Sequence, residues 1–225
     1  MIKDGKLLVN EIFLSIDGEG YHAGFPTVFF RTVGCNLRCS WCDSKYTFEP
    51  EEESIWMTVE EAVHAVEKYS VKHITITGGE PLMDENKRWM TNFIKSLLLR
   101  NFEVDIETNG AIDYSYWKEM FRRDTVRIIM DWKAPSSKMN HLMLVDNLKI
   151  LDENDIVKIV VEDSDFEEIE KVLKIGTLAT IYVSPVFGRV TMEKIPEFVL
   201  AHKNENIRAQ IQLHKVFWDS NKRGV

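Results

Sequence analysis

Apolar residues along this chain fall into short β-rich runs that alternate with segments of helical period. Leu7 to Phe13 and Thr27 to Thr32 read as strands, with the loop Asp17-Gly18-Glu19-Gly20 between them. Cys35 to Phe48 has no sustained period and reads as a loop, and the acidic stretch Glu49 to Glu53 follows it. Thr58-Val59-Glu60-Glu61 is a capping-box pattern that opens a helix to about Tyr69. His73 to Thr77 is a compact strand stopped by Gly78-Gly79-Glu80-Pro81.

Beyond it the spacing predicts a helix over Asp84 to Arg100 and a strand over Phe102 to Glu107. A short helix over Tyr114 to Arg122 and a strand over Val126 to Asp131 come next. A Pro-Ser-Ser loop precedes the strand Ile156 to Val161. The segment Ser164 to Lys174 sets Phe166, Ile169, Val172 and Leu173 on one helical face. A strand at Ile181 to Val183, a helix at Lys194 to Lys203 and a last strand at Ile207 to Leu213 complete the chain. Alternating β and α units imply an α/β fold with a mostly parallel sheet. The strand count is small for a closed eightfold barrel, so an open, partial (β/α) barrel in a single domain, residues 1–225, is expected. In such folds ligands collect at the carboxyl ends of strands, where Gly34, Gly78-Gly79, Asn109-Gly110 and Pro135-Ser136 stand.

Thirty-six acidic against twenty-eight basic residues give a formal charge of −8, which disfavours a nucleic-acid or membrane-surface partner. No apolar run is long enough to span a bilayer, and the N-terminus lacks a secretory h-region. Free thiols without an export signal point to a reducing cytoplasm.

Those thiols are the strongest chemical lead. All three cysteines, Cys35, Cys39 and Cys42, lie in one C-x3-C-x2-C loop. Three thiolates are one short of a closed zinc site or a fully ligated four-iron cluster. A zinc site would need a fourth ligand, and none of the histidines forms a zinc spacing with the loop. A redox dithiol at Cys39 and Cys42 leaves Cys35 unexplained. The pattern favours an iron–sulfur cluster with one open iron, and zinc is the other reading.

With Trp41 before the last cysteine, the loop is similar to the signature of the radical S-adenosylmethionine (SAM) superfamily, and Thr77-Gly78-Gly79-Glu80-Pro81 resembles its Gly-Gly-Glu-Pro motif. The resemblance implies a 4Fe-4S cluster on Cys35, Cys39 and Cys42, with SAM on the open iron cleaved to a 5′-deoxyadenosyl radical. More finely, the chain resembles the 7-carboxy-7-deazaguanine synthase family over nearly its whole length. The likeness is carried by Glu11 to Gly20, Phe29 to Cys35, Trp41-Cys42-Asp43-Ser44, Glu107 to Gly110, Lys133 to Met139 and Asn221 to Val225.

That resemblance implies conversion of 6-carboxy-5,6,7,8-tetrahydropterin to 7-carboxy-7-deazaguanine with loss of ammonia, in queuosine and 7-deazapurine biosynthesis. It also implies Mg2+ at Ser44 beside the substrate carboxylate, a homodimer, and a reductant protein such as flavodoxin or ferredoxin. SAM contacts are implied for Trp41, Cys42, Asp43, Gly79, Glu80, Asp131, Trp132 and Lys133. Substrate contacts are implied for Ile16, Asp17, Gly18, Glu19, Arg31, Thr77 and the terminal carboxylate of Val225, in a tail that closes the active site. Two departures stand out: the family commonly has Gln at position 17, and Ser-Pro-Lys where this chain has Asp131-Trp132-Lys133. Without the likeness, Arg31 reads as a strand residue, Ser44 as a turn hydroxyl and His214 as a structural histidine. A glycyl-radical-enzyme activase shares the cysteine loop but acts on a partner protein, and a non-enzymatic metal-binding module is the third alternative.

Overall fold

The computed structural model describes residues 1–121, 125–219 and 222–225, so the predicted helix end at Arg122 and the tail residue Asn221 lie outside the described residues. One sheet carries the molecule. Its strands are β1 (Ile2–Lys3), β2 (Lys6–Ile16), β3 (Pro26–Thr32), β4 (Ile55–Met57), β5 (His73–Gly78), β6 (Glu103–Asn109), β7 (Val126–Lys133), β8 (Ile156–Val161), β9 (Thr180–Pro185) and β10 (Ile207–Ala209). Their order is β1-β2-β3-β5-β6-β7-β8-β9-β10, with β4 paired to β2. From β3 onward neighbours run parallel, whereas β1, β3 and β4 lie antiparallel to β2. Parallel neighbours require crossovers, and helices supply them: α1 (Val59–Glu67), α2 (Lys87–Leu98), α3 (Ser115–Met120), α4 (Val145–Ile150), α5 (Phe166–Ile175) and α6 (Lys194–Ala201), while α7 (Leu213–Phe217) follows the last strand.

The two faces of the sheet differ because strand side chains alternate. Val28 and Phe30, Ile74 and Ile76, Val104 and Ile106, and Val157 and Ile159 enter the continuous apolar core. Phe30 packs there against Trp89 and Phe93 of α2. Among the intervening positions are Arg31, Thr75, Thr77, Asp105, Glu107, Asp131, Lys133 and Lys158, an unusually polar set for strand interiors. Register aligns them: Arg31 is opposite Thr77, and Asp131 is opposite Lys158.

The predicted capping box is present, with Thr58 and Glu61 exchanging hydrogen bonds at 3.2 and 2.8 Å. The last strand is shorter than predicted, ending at Ala209 instead of Leu213. Past it, the amide of Gln210 turns aside to exchange hydrogen bonds with the backbone of Gly20, at 2.9 and 3.2 Å, and Leu213 N–H donates to Gly18 carbonyl at 3.2 Å. The loop after β2 thus reaches the far end of the sheet and bridges the open barrel without a strand pair. The short α4, β4 and α7 were not expected, since elements of three to six residues carry too little periodicity to show.

Candidate active site

A cavity of about 600 Å3 opens at the carboxyl ends of the strands, and all three cysteines line it. Their loop is irregular yet tightly tied down. Gly34 N–H donates to Thr47 carbonyl at 2.7 Å, and Glu80 N–H donates to Gly34 carbonyl at 2.7 Å. Gly79 lies so close to that carbonyl that a Cβ would collide with it, which is why this turn needs glycine. Asn109 Nδ2 donates to Asn36 at 2.8 Å. On the other flank Ser136 accepts from Ser40 Oγ through its carbonyl at 2.7 Å and from Trp41 Nε1 through its hydroxyl at 3.0 Å. The Pro-Ser-Ser segment is therefore the brace of the cysteine loop.

Burial pushes the Cys35 thiol up to about 11 and raises those of Cys39 and Cys42. Reactive dithiols need lowered values, so this environment speaks against a redox pair. Among the described residues, the one group of side chains compact enough for a single ion is Asp17, His22, His73 and Asp105, and no cysteine belongs to it. Three thiols lining one cavity without converging on one point suit a multi-iron cluster better than a zinc ion. The His22 group is already closed: Asp105 Oδ2 accepts from His22 Nδ1 and His73 Nε2 at 2.9 and 3.1 Å, and Oδ1 accepts from Arg127 at 3.1 Å.

The cavity floor is ionic. Lys158, 8% exposed, lies 2.8 Å from Glu19, 3.8 Å from Asp131 and 4.0 Å from Glu107. Burial opposes its charge, but these carboxylates, Glu19 foremost, hold it protonated well above the usual lysine range. Thr77 Oγ1 donates to Glu107 at 2.8 Å, and Lys133 pairs with Asp131 at 2.6 Å with its ammonium 5.2 Å from the Trp41 ring centre. Two buried acceptors of this lattice, Glu19 Oε1 and Asp131 Oδ1, have no hydrogen-bond partner among the described residues. Buried acceptors are normally satisfied, so a ligand bearing N–H or O–H donors fits here. At the rim, Arg31 Nε donates to Glu11 at 2.9 Å. Asp43 accepts from Lys215 and Ser44 at 2.8 and 2.9 Å. Burial works against the Asp43 charge, yet the Lys215 ammonium holds its carboxyl well below the ordinary range.

Of the residues expected from sequence, the structure brings together Cys35, Cys39, Cys42, Ser44, Trp41, Asp43, Gly79, Asp131, Lys133, Ile16, Asp17, Gly18, Glu19, Arg31, Thr77 and Val225 around this cavity. Two of the expected residues are not among those lining the cavity. Glu80 is fully buried, and its carboxylate accepts from Leu82 N–H, Thr108 Oγ1 and Asn109 N–H at 2.7 to 2.9 Å, so its side chain staples two strand-end loops. Trp132, one residue out of phase with Asp131 and Lys133, points to the helix layer and donates to Glu168 at 3.2 Å. Sequence reasoning missed Lys158, Glu107 and Tyr46 as cavity residues, and His214 lines the cavity beside Gly18. A lone lysine inside Ile-Val-Lys-Ile-Val-Val was a readable signal, because a buried charge needs a reason.

Residues 29–200 match the model of the Radical SAM superfamily. The chain is 37% identical to 7-carboxy-7-deazaguanine synthase of Clostridium acetobutylicum, over 96% of this chain and 98% of that one. It is 35% identical to the synthase of Thermoplasma acidophilum, over 94% and 97%. The chain belongs to the 7-carboxy-7-deazaguanine synthase family. Its fold is that of QueE from Escherichia coli, at a TM-score of 0.72 and 22% identity over 91% of this chain and 94% of that one. It also resembles Streptococcus suis SuiB bound to S-adenosylmethionine, at a TM-score of 0.57 and 13% identity over 81% of this chain and 47% of that one. The open, partial barrel is thus the radical SAM architecture, and family membership makes this a SAM-dependent radical lyase of queuosine biosynthesis with an iron–sulfur cluster. The thiol loop, the glycine turn and the orphaned Asp131 acceptor fit that pair of cofactors.

Proposed function

We propose that this cavity contracts the ring of 6-carboxy-5,6,7,8-tetrahydropterin to 7-carboxy-7-deazaguanine, with loss of ammonia, and that the residues divide the work as follows. Cys35, Cys39 and Cys42 hold the cluster, and Trp41, Asp43, Gly79, Asp131 and Lys133 surround SAM. When bound, cluster and SAM together supply the radical that abstracts hydrogen from substrate. Glu19, fixed by Lys158, turns its free Oε1 to the amide-and-guanidine edge of the pterin, and the Ile16-Asp17-Gly18 backbone adds further partners. Arg31 has its Nε on Glu11, which leaves its terminal nitrogens for the substrate carboxylate. Thr77 and Val225 complete the contacts. The unpartnered Glu19 Oε1, buried beside the cysteines' cavity, is the observation that carries this reading.

Ser44 is the proposed Mg2+ contact. The nearest carboxylate, Asp43, is already neutralised by Lys215. The protein therefore offers the ion few oxygens, and substrate and water would fill most of its shell. A homodimer, a flavodoxin or ferredoxin reductant and a cytoplasmic location belong to the same reading. Among the described residues no helix is long and apolar enough to cross a membrane.

Anaerobic incubation of reconstituted protein with SAM, reductant and carboxytetrahydropterin tests the assignment: deazaguanine product is expected, and its absence with an intact cluster overturns it. Arg31→Ala should weaken pterin binding and leave uncoupled SAM cleavage measurable. Loss of both would make Arg31 structural.

A further inference from the structure

The last four residues are held by a contact that the reading above does not use. Arg223 forks onto Glu51, with Nη1 3.1 Å from Oε1 and Nη2 2.6 Å from Oε2. Its guanidinium lies flat enough to sit 3.6 Å from the centre of the Tyr46 ring. Glu51 is itself steadied by Asn10 Nδ2 at 3.1 Å. The Tyr46 hydroxyl donates to Glu11 Oε1 at 2.9 Å, and that same oxygen takes the Arg31 Nε at 2.9 Å. Asn10 and Glu11 are neighbours on β2, so one strand anchors both arms. Two residues past Arg223, Val225 lines the cavity.

We propose that Arg223 is a positioning residue for substrate recognition: clamped between Glu51 and the face of Tyr46, it holds Val225 at the cavity for the pterin and sets it in register with Arg31. The proposal rests on the reading that Val225 accepts from the pterin. An exposed ion pair alone does little. Here a bidentate fork, a stacked face and a hydrogen-bonded acceptor restrain one side chain together. Without them a four-residue terminus would sample many conformations, and each binding event would have to order it. Tyr46 makes the coupling physical, since it touches the arginine on the tail and shares a carboxylate with the arginine on β3.

The test compares Arg223→Ala, Arg223→Lys and deletion of Val225 in the cluster-loaded enzyme. Three measurements are made: equilibrium binding of the non-reacting analogue 6-carboxypterin, KM and kcat separately, and the rate at which carboxypeptidase trims the terminus. For Arg223→Ala we expect pterin Kd and KM to rise roughly tenfold, about 1.4 kcal/mol, with kcat and SAM affinity little changed and faster trimming. Arg223→Lys, which keeps the charge but loses the fork, should fall between. If deleting Val225 weakens pterin binding while Arg223→Ala changes neither binding nor trimming, the clamp is refuted and the tail's role stands. If deleting Val225 leaves pterin binding intact, the role of Val225 falls, and the clamp with it. Loss of SAM binding in step with pterin binding in Arg223→Ala would show a general structural role and overturn the proposal.

Discussion

The wall that carries the cysteines and the floor that carries Lys158 are built by different physics. Around the cysteines, position is set by backbone: short turns, a glycine pressed against a carbonyl, and the Ser136 and Glu80 hydrogen bonds that hold loops to strand ends. On the floor, position is set by charge, with one buried ammonium among three carboxylates, Glu107 and Asp131 turned inward from parallel strands and Glu19 from the loop after β2. A cluster of iron and sulfur brings its own bonding geometry and needs a fixed frame. A flat, donor-rich ring is recognised by acceptors, and the floor keeps two of them, Glu19 Oε1 and Asp131 Oδ1, unspent among the described residues. The contrast separates what any radical SAM protein needs from what its substrate dictates.

The sharpest break of that contrast is Cys39→Ala, which should abolish the cluster and cut SAM cleavage by about 10³-fold or more while the fold survives. Iron and sulfide analysis with circular dichroism checks it, and a cluster that persists would put the iron elsewhere. Lys158→Met should act oppositely, on the fold first. Stripping the counter-charge from buried Glu19 and its neighbours should cost about 3–5 kcal/mol, seen as a lowered urea midpoint.

Glu80→Gln comes next, at about 1–3 kcal/mol, because an amide nitrogen would face N–H and O–H donors at one of its two oxygens. It should also weaken SAM binding through the displaced glycine turn, and a variant as stable and as tight as the parent would show that the staple is dispensable.

The most gradual effect concerns pH. Burial lifts the carboxyl of Asp17, and separately that of Glu80, to about 7, well above their unfolded values. Between about pH 4 and 7 the folded state thus retains protons that the unfolded state has released. These two groups make stability fall as pH rises through that window, by at most about 1.4 kcal/mol per unit each. Asp17→Asn should remove its share, so the Tm difference between variant and parent should grow in the variant's favour from pH 5 to pH 7.5. A constant difference would show that Asp17 is ionised throughout.

Legibility follows the same division. The cysteine loop, the Gly-Gly-Glu-Pro turn and the alternation of strands and helices were readable because each is local: a spacing, a turn chemistry, a period. Asp17, Glu19, Arg31 and Thr77 were placed through family likeness, and the structure sets all four on the cavity. Lys158 and Tyr46 were not, because their partners lie far away in sequence. That the side chains of Glu80 and Trp132 turn away from the cavity was hidden for a related reason. A motif tells that a residue stands at a strand end, and only the register tells which way its side chain turns.

One consequence of the Gln210–Gly20 contact is mechanical. Parting β8 from β9 would unzip a ladder of six residue pairs, whereas the joint between the sheet's first loop and its last strand gives way when a pair of side-chain amide bonds and one backbone bond let go. The segment bearing Glu19 is hung on that joint like a gatepost, so slow breathing of the molecule should start there, and amide exchange at Gly20 and Leu213 should outpace that of the neighbouring strands.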